Sequence, residues 1–229
     1  MHKKLIVANW KSHKTLSEAT EWLKLFKAGI ADKDLSQLRI GIAPSFPYLE
    51  LAKNALIELP NCFVVAQDIS QFPHGKYTGA VNGAQLKSVG VTHVLIGHSE
   101  RRRYFGETHQ LVAQKIEQAV DNDLQPIVCV TEDQIEQQAD ALDKALKSKC
   151  IVTYEPLFAI GTGMGEDVPA VRAATDKIKE HFGAIQILYG GSVSPHNVNE
   201  YLMITNGVLV GTASLDVQEF LDLIHKLLE

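Results

Sequence analysis

The sequence predicts an α/β fold: a single domain over residues 1–229 in which eight parallel strands close into a (β/α)8 barrel ringed by helices. Three observations point there. Short apolar runs recur eight times, at 5–8, 39–43, 63–66, 94–97, 126–130, 151–154, 187–189 and 208–210. None is long or cleanly alternating, which is the pattern of strands buried on both faces. Helical patterns lie between them, and 229 residues divided among eight units give about 29 each, room for parallel crossovers. An open doubly wound sheet fits the same alternation; the count of eight favours the closed barrel. No linker, low-complexity stretch or composition break divides the chain.

The elements follow in order. Run 5–8 leads through Asn9-Trp10-Lys11 to a helix. Thr15 and Glu18 have capping-box spacing there, and Ala19, Trp22, Leu23, Phe26 and Ile30 form one apolar stripe. Run 39–43 precedes a helical pattern over 49–59. Run 63–66 is followed by Gln67-Asp68 and a weaker helical segment, 82–89. Run 94–97 enters His98-Ser99-Glu100-Arg101-Arg102, then a stripe of Val112, Ile116, Ala119 and Val120. Run 126–130 precedes one helical pattern over 133–146, and 151–154 precedes Glu155-Pro156 and a pattern over 168–182. Run 187–189 meets Gly190-Gly191-Ser192 and a weak segment, 196–201, behind Pro195. Run 208–210 meets Gly211-Thr212-Ala213-Ser214 and a last stripe of Val217, Phe220, Leu221, Ile224 and Leu228.

Composition narrows the function classes. Hydrophobic residues are 45% and charged residues 21%, ordinary for a soluble globular protein. The net charge of −5, with Lys and Arg scattered, offers no basic stripe for nucleic acid. No stretch approaches the ~18 apolar residues a membrane span needs, and run 5–8 is too short for a signal peptide. Cys62, Cys129 and Cys150 are odd in number, with neither a disulfide framework nor metal-ligand spacing. The expectations are buried thiols, a reducing cytoplasmic location, no metal, and neither nucleic acid nor membrane as partner.

In a barrel, the residues just after each strand converge on one mouth. The most informative segment is 151–163, where Glu155 closes a strand and a mostly apolar stretch runs to Gly161-Thr162-Gly163. An apolar segment folded over a carboxylate is an environment that makes a competent base. Lys11 and His98 follow other strands, so one acid, one imidazole and one ammonium are brought to one cavity. Singly they mean little: such a lysine is usually a solvated loop charge and such a histidine a cap. The glycine turns after the seventh and eighth strands match the phosphate site of barrel enzymes, where helix N-termini present free N–H groups. Arg101 and Arg102 look like phosphate ligands, although adjacent arginines are more often ion-pair partners.

Asn9-Trp10-Lys11, Gly97-His98-Ser99-Glu100-Arg101-Arg102, Tyr154-Glu155-Pro156 with residues 159–163, Tyr189-Gly190-Gly191-Ser192 and Leu209-Val210-Gly211 resemble the triosephosphate isomerase family along essentially the whole chain. The resemblance implies a TIM barrel that interconverts dihydroxyacetone phosphate and D-glyceraldehyde 3-phosphate through an enediolate, in glycolysis and gluconeogenesis, without a cofactor. Glu155 would be the base, His98 a neutral imidazole beside a helix N-terminus, and Lys11 the cation facing the enediolate. Asn9, Gly161, Ser192, Gly211 and Thr212 would complete the substrate contacts, with Glu100, Cys129 and Glu132 in support. The resemblance also implies a homodimer through the 68–79 loop, with Thr78 reaching towards the partner's site.

The chain departs from the family pattern at several positions. Phe158 replaces a tryptophan whose N–H would reach Glu132, a loss of roughly 1 kcal/mol in the closed lid. Met164-Gly165 changes the lid's end and is expected to loosen it. Thr212 replaces a glycine, where positive φ would be costly, and Ala80 removes a charge expected to meet Arg101 across the dimer. The short 129–151 stretch is expected to trim the fifth and sixth units. A phosphate-sugar lyase and a non-catalytic phosphate-binding barrel are the competing functions; the intact Lys11, His98 and Glu155 disfavour both. A dinucleotide reading of Gly161, Gly163 and Gly165 fails on glycine spacing.

Overall fold

The computed structural model describes residues 3–158 and 165–229. Eight parallel strands close into a barrel in chain order: β1 Lys4–Asn9, β2 Leu38–Ala43, β3 Cys62–Ala66, β4 His93–Ile96, β5 Gln125–Val130, β6 Ile151–Tyr154, β7 Gln186–Tyr189 and β8 Gly207–Val210. Each lies within a residue or two of an apolar run in the sequence. β8 pairs back onto β1 with Leu5 opposite Gly207, so no strand edge is left open.

Strand periodicity divides the core in two. Leu5, Val7, Val65, Leu95, Ile127, Ile151, Leu188 and Leu209 pack inside the barrel. Ile6, Ala8, Ile40 and Ile42 alternate with them and meet the helices. The helices are α1 Leu16–Ile30, α2 Leu49–Leu56, α3 Gly83–Ser88, α4 Ser99–Phe105, α5 His109–Asp121, α6 Ile135–Asp140, α7 Lys144–Lys147, α8 Val168–Phe182, α9 Val198–Leu202 and α10 Val217–Lys226. The capping box of Thr15 and Glu18 is formed, and α1 buries the five residues of its apolar stripe.

One helix differs from expectation. The pattern over 133–146 is not continuous: α6 ends at Asp140, and Asp143 starts α7 by accepting from the N–H of Leu146. Apolar spacing survives such a break, so it cannot reveal one; an aspartate that caps a new turn competes locally with the helix it interrupts.

Two polar clusters lie within the fold. Near the start of β4, His93 is buried between Arg39 and Thr92 and stacks on Phe63. Burial, together with the Arg39 charge, pushes it down to about 3. The second cluster follows β3. Lys115 of α5 bonds Asp68 and Glu107, and Arg101 of α4 bonds the same two acids. Burial raises Asp68 above the ordinary carboxylate range. Burial acts upward on Glu107 too, but the bonds and charges of Lys115 and Arg101 outweigh it and hold Glu107 low.

Candidate active site

Period-two alternation brings Glu155 to the mouth. Ile151 points inward, so Thr153 and Glu155 do as well, and Glu155 is 2% exposed. Of the apolar residues expected to cover it, Leu157 and Phe158 are 60% and 67% exposed, and residues 159–163 lie outside the described residues. Neighbouring strand ends pack against it. A Cβ on Gly190 would lie 3.1 Å from Cγ of Glu155 and 2.6 Å from Thr153, so a side chain there would displace the acid. The Cys129 thiol lies against Glu155, and burial followed by that carboxylate's charge raises the thiol well above its ordinary range. Cys129 is thus held as a neutral packing group.

His98 reaches the mouth by a different route. Gly97 has φ +69, which turns the chain out of β4, and His98 then caps α4. The Glu100 N–H donates to Nδ1 of His98 at 3.3 Å. A ring nitrogen that accepts carries no proton, so the ring's proton sits on Nε2. That Nε2 lies 3.1 Å from Oε1 of Glu155. The other carboxylate oxygen, Oε2, accepts the Ser99 N–H at 2.9 Å, whereas Oε1 is buried without a bond of good geometry among the described residues.

Lys11 sits in a left-handed conformation, φ 52, uncommon for a side chain of its size. Its neighbours hold it there. Oδ1 of Asn9 accepts the Lys11 N–H at 2.9 Å, while Gln67 and Ser45 donate to its carbonyl at 2.8 and 3.2 Å. Nζ donates to Oε1 of Glu100 at 2.8 Å. The same side chain passes over Gly211, where a Cβ would stand 3.3 Å from Cε of Lys11. Strain of this kind persists only where surrounding bonds over-determine it. Gln67 was legible only as a polar residue after a strand; that it braces Lys11 emerges once β3 stands near β1.

Lys11, His98 and Glu155 line one cavity with Asn9, Ser192, Gly211 and Thr212. Thr212 opens a short 3-10 turn, Thr212–Ser214, and is not among the described residues with positive φ, so the expected backbone cost does not arise. Gly161 and Met164 lie outside the described residues. Glu132 is exposed, begins the 3-10 turn Glu132–Gln134, and is absent from the cavity lining.

Gly165 has a packing reason beyond a looser hinge: a Cβ there would lie 2.0 Å from the Tyr201 hydroxyl. That hydroxyl donates to the Glu166 carbonyl, and the Glu166 N–H donates to Tyr189. Neither arginine lines the cavity. Arg101 pairs with Asp68 and Glu107, and Arg102 turns to main-chain carbonyls and Gln138. Among the described residues no cluster of three or more His, Cys, Asp or Glu could hold a metal ion. Nor is any described helix long and apolar enough to cross a membrane.

A protein-family model described as triosephosphate isomerase matches residues 4–227. The chain is 38% identical to a triosephosphate isomerase of Mycoplasmopsis pulmonis, over 98% of each chain. It is 36% identical to that of Thermus thermophilus, over 98% of this chain and 99% of the relative. Against that of Dictyoglomus turgidum the identity is 36%, over 99% and 100%.

Proposed function

The chain belongs to the triosephosphate isomerase family and interconverts dihydroxyacetone phosphate and D-glyceraldehyde 3-phosphate, and we propose that Glu155, His98 and Lys11 carry the chemistry. The supporting observation is that Nε2 of His98 faces Oε1 of Glu155 at 3.1 Å in a cavity that Lys11 also lines.

The reaction moves one proton between adjacent carbons and another between two oxygens. Glu155 takes the carbon proton through Oε1, the oxygen not engaged by the Ser99 N–H. His98 donates from Nε2 to the carbonyl oxygen and carries a proton between the two oxygens. Lys11 faces the negative charge that develops there, with Asn9 holding its backbone and Glu100 its ammonium. N–H groups of Ser192, Gly211 and Thr212 take the phosphate, and the sequence adds Gly161. A grip at the phosphate end is binding energy available to hold the reacting end in place. Cys129 supports Glu155 by packing, and Glu132 is proposed only as a contact of the lid. The whole chain, 1–229, serves as one domain. The reaction serves glycolysis, and its reversibility suits gluconeogenesis. We place it in the cytoplasm, where the free thiols Cys62, Cys129 and Cys150 persist.

A coupled assay in both directions on His98→Gln tests these roles. Turnover is expected to fall by roughly 100-fold or more, the usual weight of a positioned proton donor, with substrate affinity nearly kept. Wild-type turnover in that variant would exclude His98 from the proton path.

We propose a homodimer through the 68–79 loop. Phe72 and Tyr77 stack at 4.3 Å, yet each is 41% exposed, an apolar surface suited to a partner. Ala80 offers no carboxylate to Arg101 across the interface, and Arg101 pairs with Asp68 and Glu107 of its own chain. Sedimentation is expected to give about 50 kDa, twice the 25.2 kDa of one chain. A fully active monomer at nanomolar concentration would refute the dimer.

A further inference from the structure

We propose that Arg102 is a positioning residue for the reaction: it holds both carbonyls that flank His98 and thereby sets the direction in which Nε2 of that ring points. The proposal rests on the role given to His98 above. Arg102 lies in α4, four residues after His98. Its backbone N–H donates to the His98 carbonyl at 3.1 Å, an ordinary helical bond. Its side chain then folds back, and Nε donates to the Gly97 carbonyl at 2.7 Å. The peptide units on both sides of the His98 Cα are therefore tied to one residue.

Gly97 needs that restraint. Its positive φ turns the chain, and a glycine has no side chain to limit its own rotation. A Cβ on Gly97 would lie 2.7 Å from Nη2 of Arg102 and 2.9 Å from Cγ2 of Val112, so the guanidinium packs directly on the turn.

The far end of the fork reaches the strand beside Glu155. Nη2 donates to the Cys129 carbonyl at 3.2 Å and to Oε1 of Gln138 at 2.8 Å. Cys129 is the residue whose thiol lies against the Glu155 carboxylate. One planar group thus spans the turn that carries His98 and the strand that packs beside Glu155. A guanidinium has five donors in a fixed plane, whereas an ammonium is a single point and cannot span the same acceptors. These acceptors are all neutral, so the cation is kept here without a carboxylate at bonding distance among the described residues. Burying a charge without such a partner is costly, and desolvation lowers Arg102 accordingly.

Arg102→Lys and Arg102→Gln test the proposal, each measured per folded molecule. We expect kcat to fall by about 10- to 100-fold, less for Lys than for Gln, the scale of a small misplacement of a reacting group. KM should stay within about twofold, because the turns after β7 and β8 do not touch Arg102. The ring ¹H–¹⁵N resonances of His98 should shift in the same variants. Unchanged kcat with unmoved His98 resonances overturns the proposal, even if the melting temperature falls. If both variants unfold, Gln138→Leu loosens the fork from its far end: a several-fold loss of kcat at constant KM supports the idea, and wild-type kcat overturns it. Failure of the underlying assignment would look different, since His98→Gln would then keep wild-type turnover.

Discussion

Glu155→Gln is expected to lower kcat by about 10²–10⁴-fold, the range a positioned general base supplies. The substitution keeps the size of the side chain and an oxygen that can still accept the Ser99 N–H. It removes the lone pair that takes the proton. Because the proposed phosphate contacts come from other strands, KM should change little, the signature of a group needed mainly in the transition state. Exchange of substrate carbon-bound hydrogen with solvent deuterium should slow in parallel with turnover. Near-normal turnover, or exchange that persists at the wild-type rate, would show that another group removes the proton.

The largest effect on stability is expected at Lys115. Its ammonium bonds Asp68 at 2.6 Å and also Glu107, while its side chain is only 4% exposed. Lys115→Met leaves the buried Glu107 and the partly buried Asp68 with Arg101 as their one remaining cation among the described residues. Removing one partner from a buried pair costs about 3–5 kcal/mol. For a domain of this size that is a drop of roughly 6–20 °C in melting temperature. The pH dependence carries a sign. In the wild type, Glu107 is held low by its cations, so its contribution is present at neutral pH and fades as acid protonates it. Without Lys115, both acids gain by taking up protons, and the deficit should be largest at neutral pH and narrow towards acid. Calorimetry between pH 5 and 8 checks this. An unchanged melting temperature, or a deficit that grows on acidification, would contradict it.

Much of the barrel was legible because its signals are local. Strands buried on both faces must be short apolar runs, and all eight were. The stripe of α1 and the Thr15–Glu18 cap need only residues a few positions apart. The catalytic candidates Lys11, His98 and Glu155 were legible as polar residues directly after strands, which a barrel brings to one end. The break between α6 and α7 was not, since a capping aspartate leaves the apolar spacing intact.

The sequence by itself therefore determined the number and place of the strands, the faces of the long helices and the set of polar residues at the mouth. Tertiary structure decided what those residues touch. Gln67 braces Lys11 from 56 positions away, and Lys115 meets Asp68 across 47. Arg102 gives its side chain to the Gly97 turn and the Cys129 carbonyl rather than to phosphate or an acid. Periodicity and burial are properties of one segment, but a hydrogen bond or ion pair needs a second segment at about 3 Å. Only closure of the barrel sets that distance.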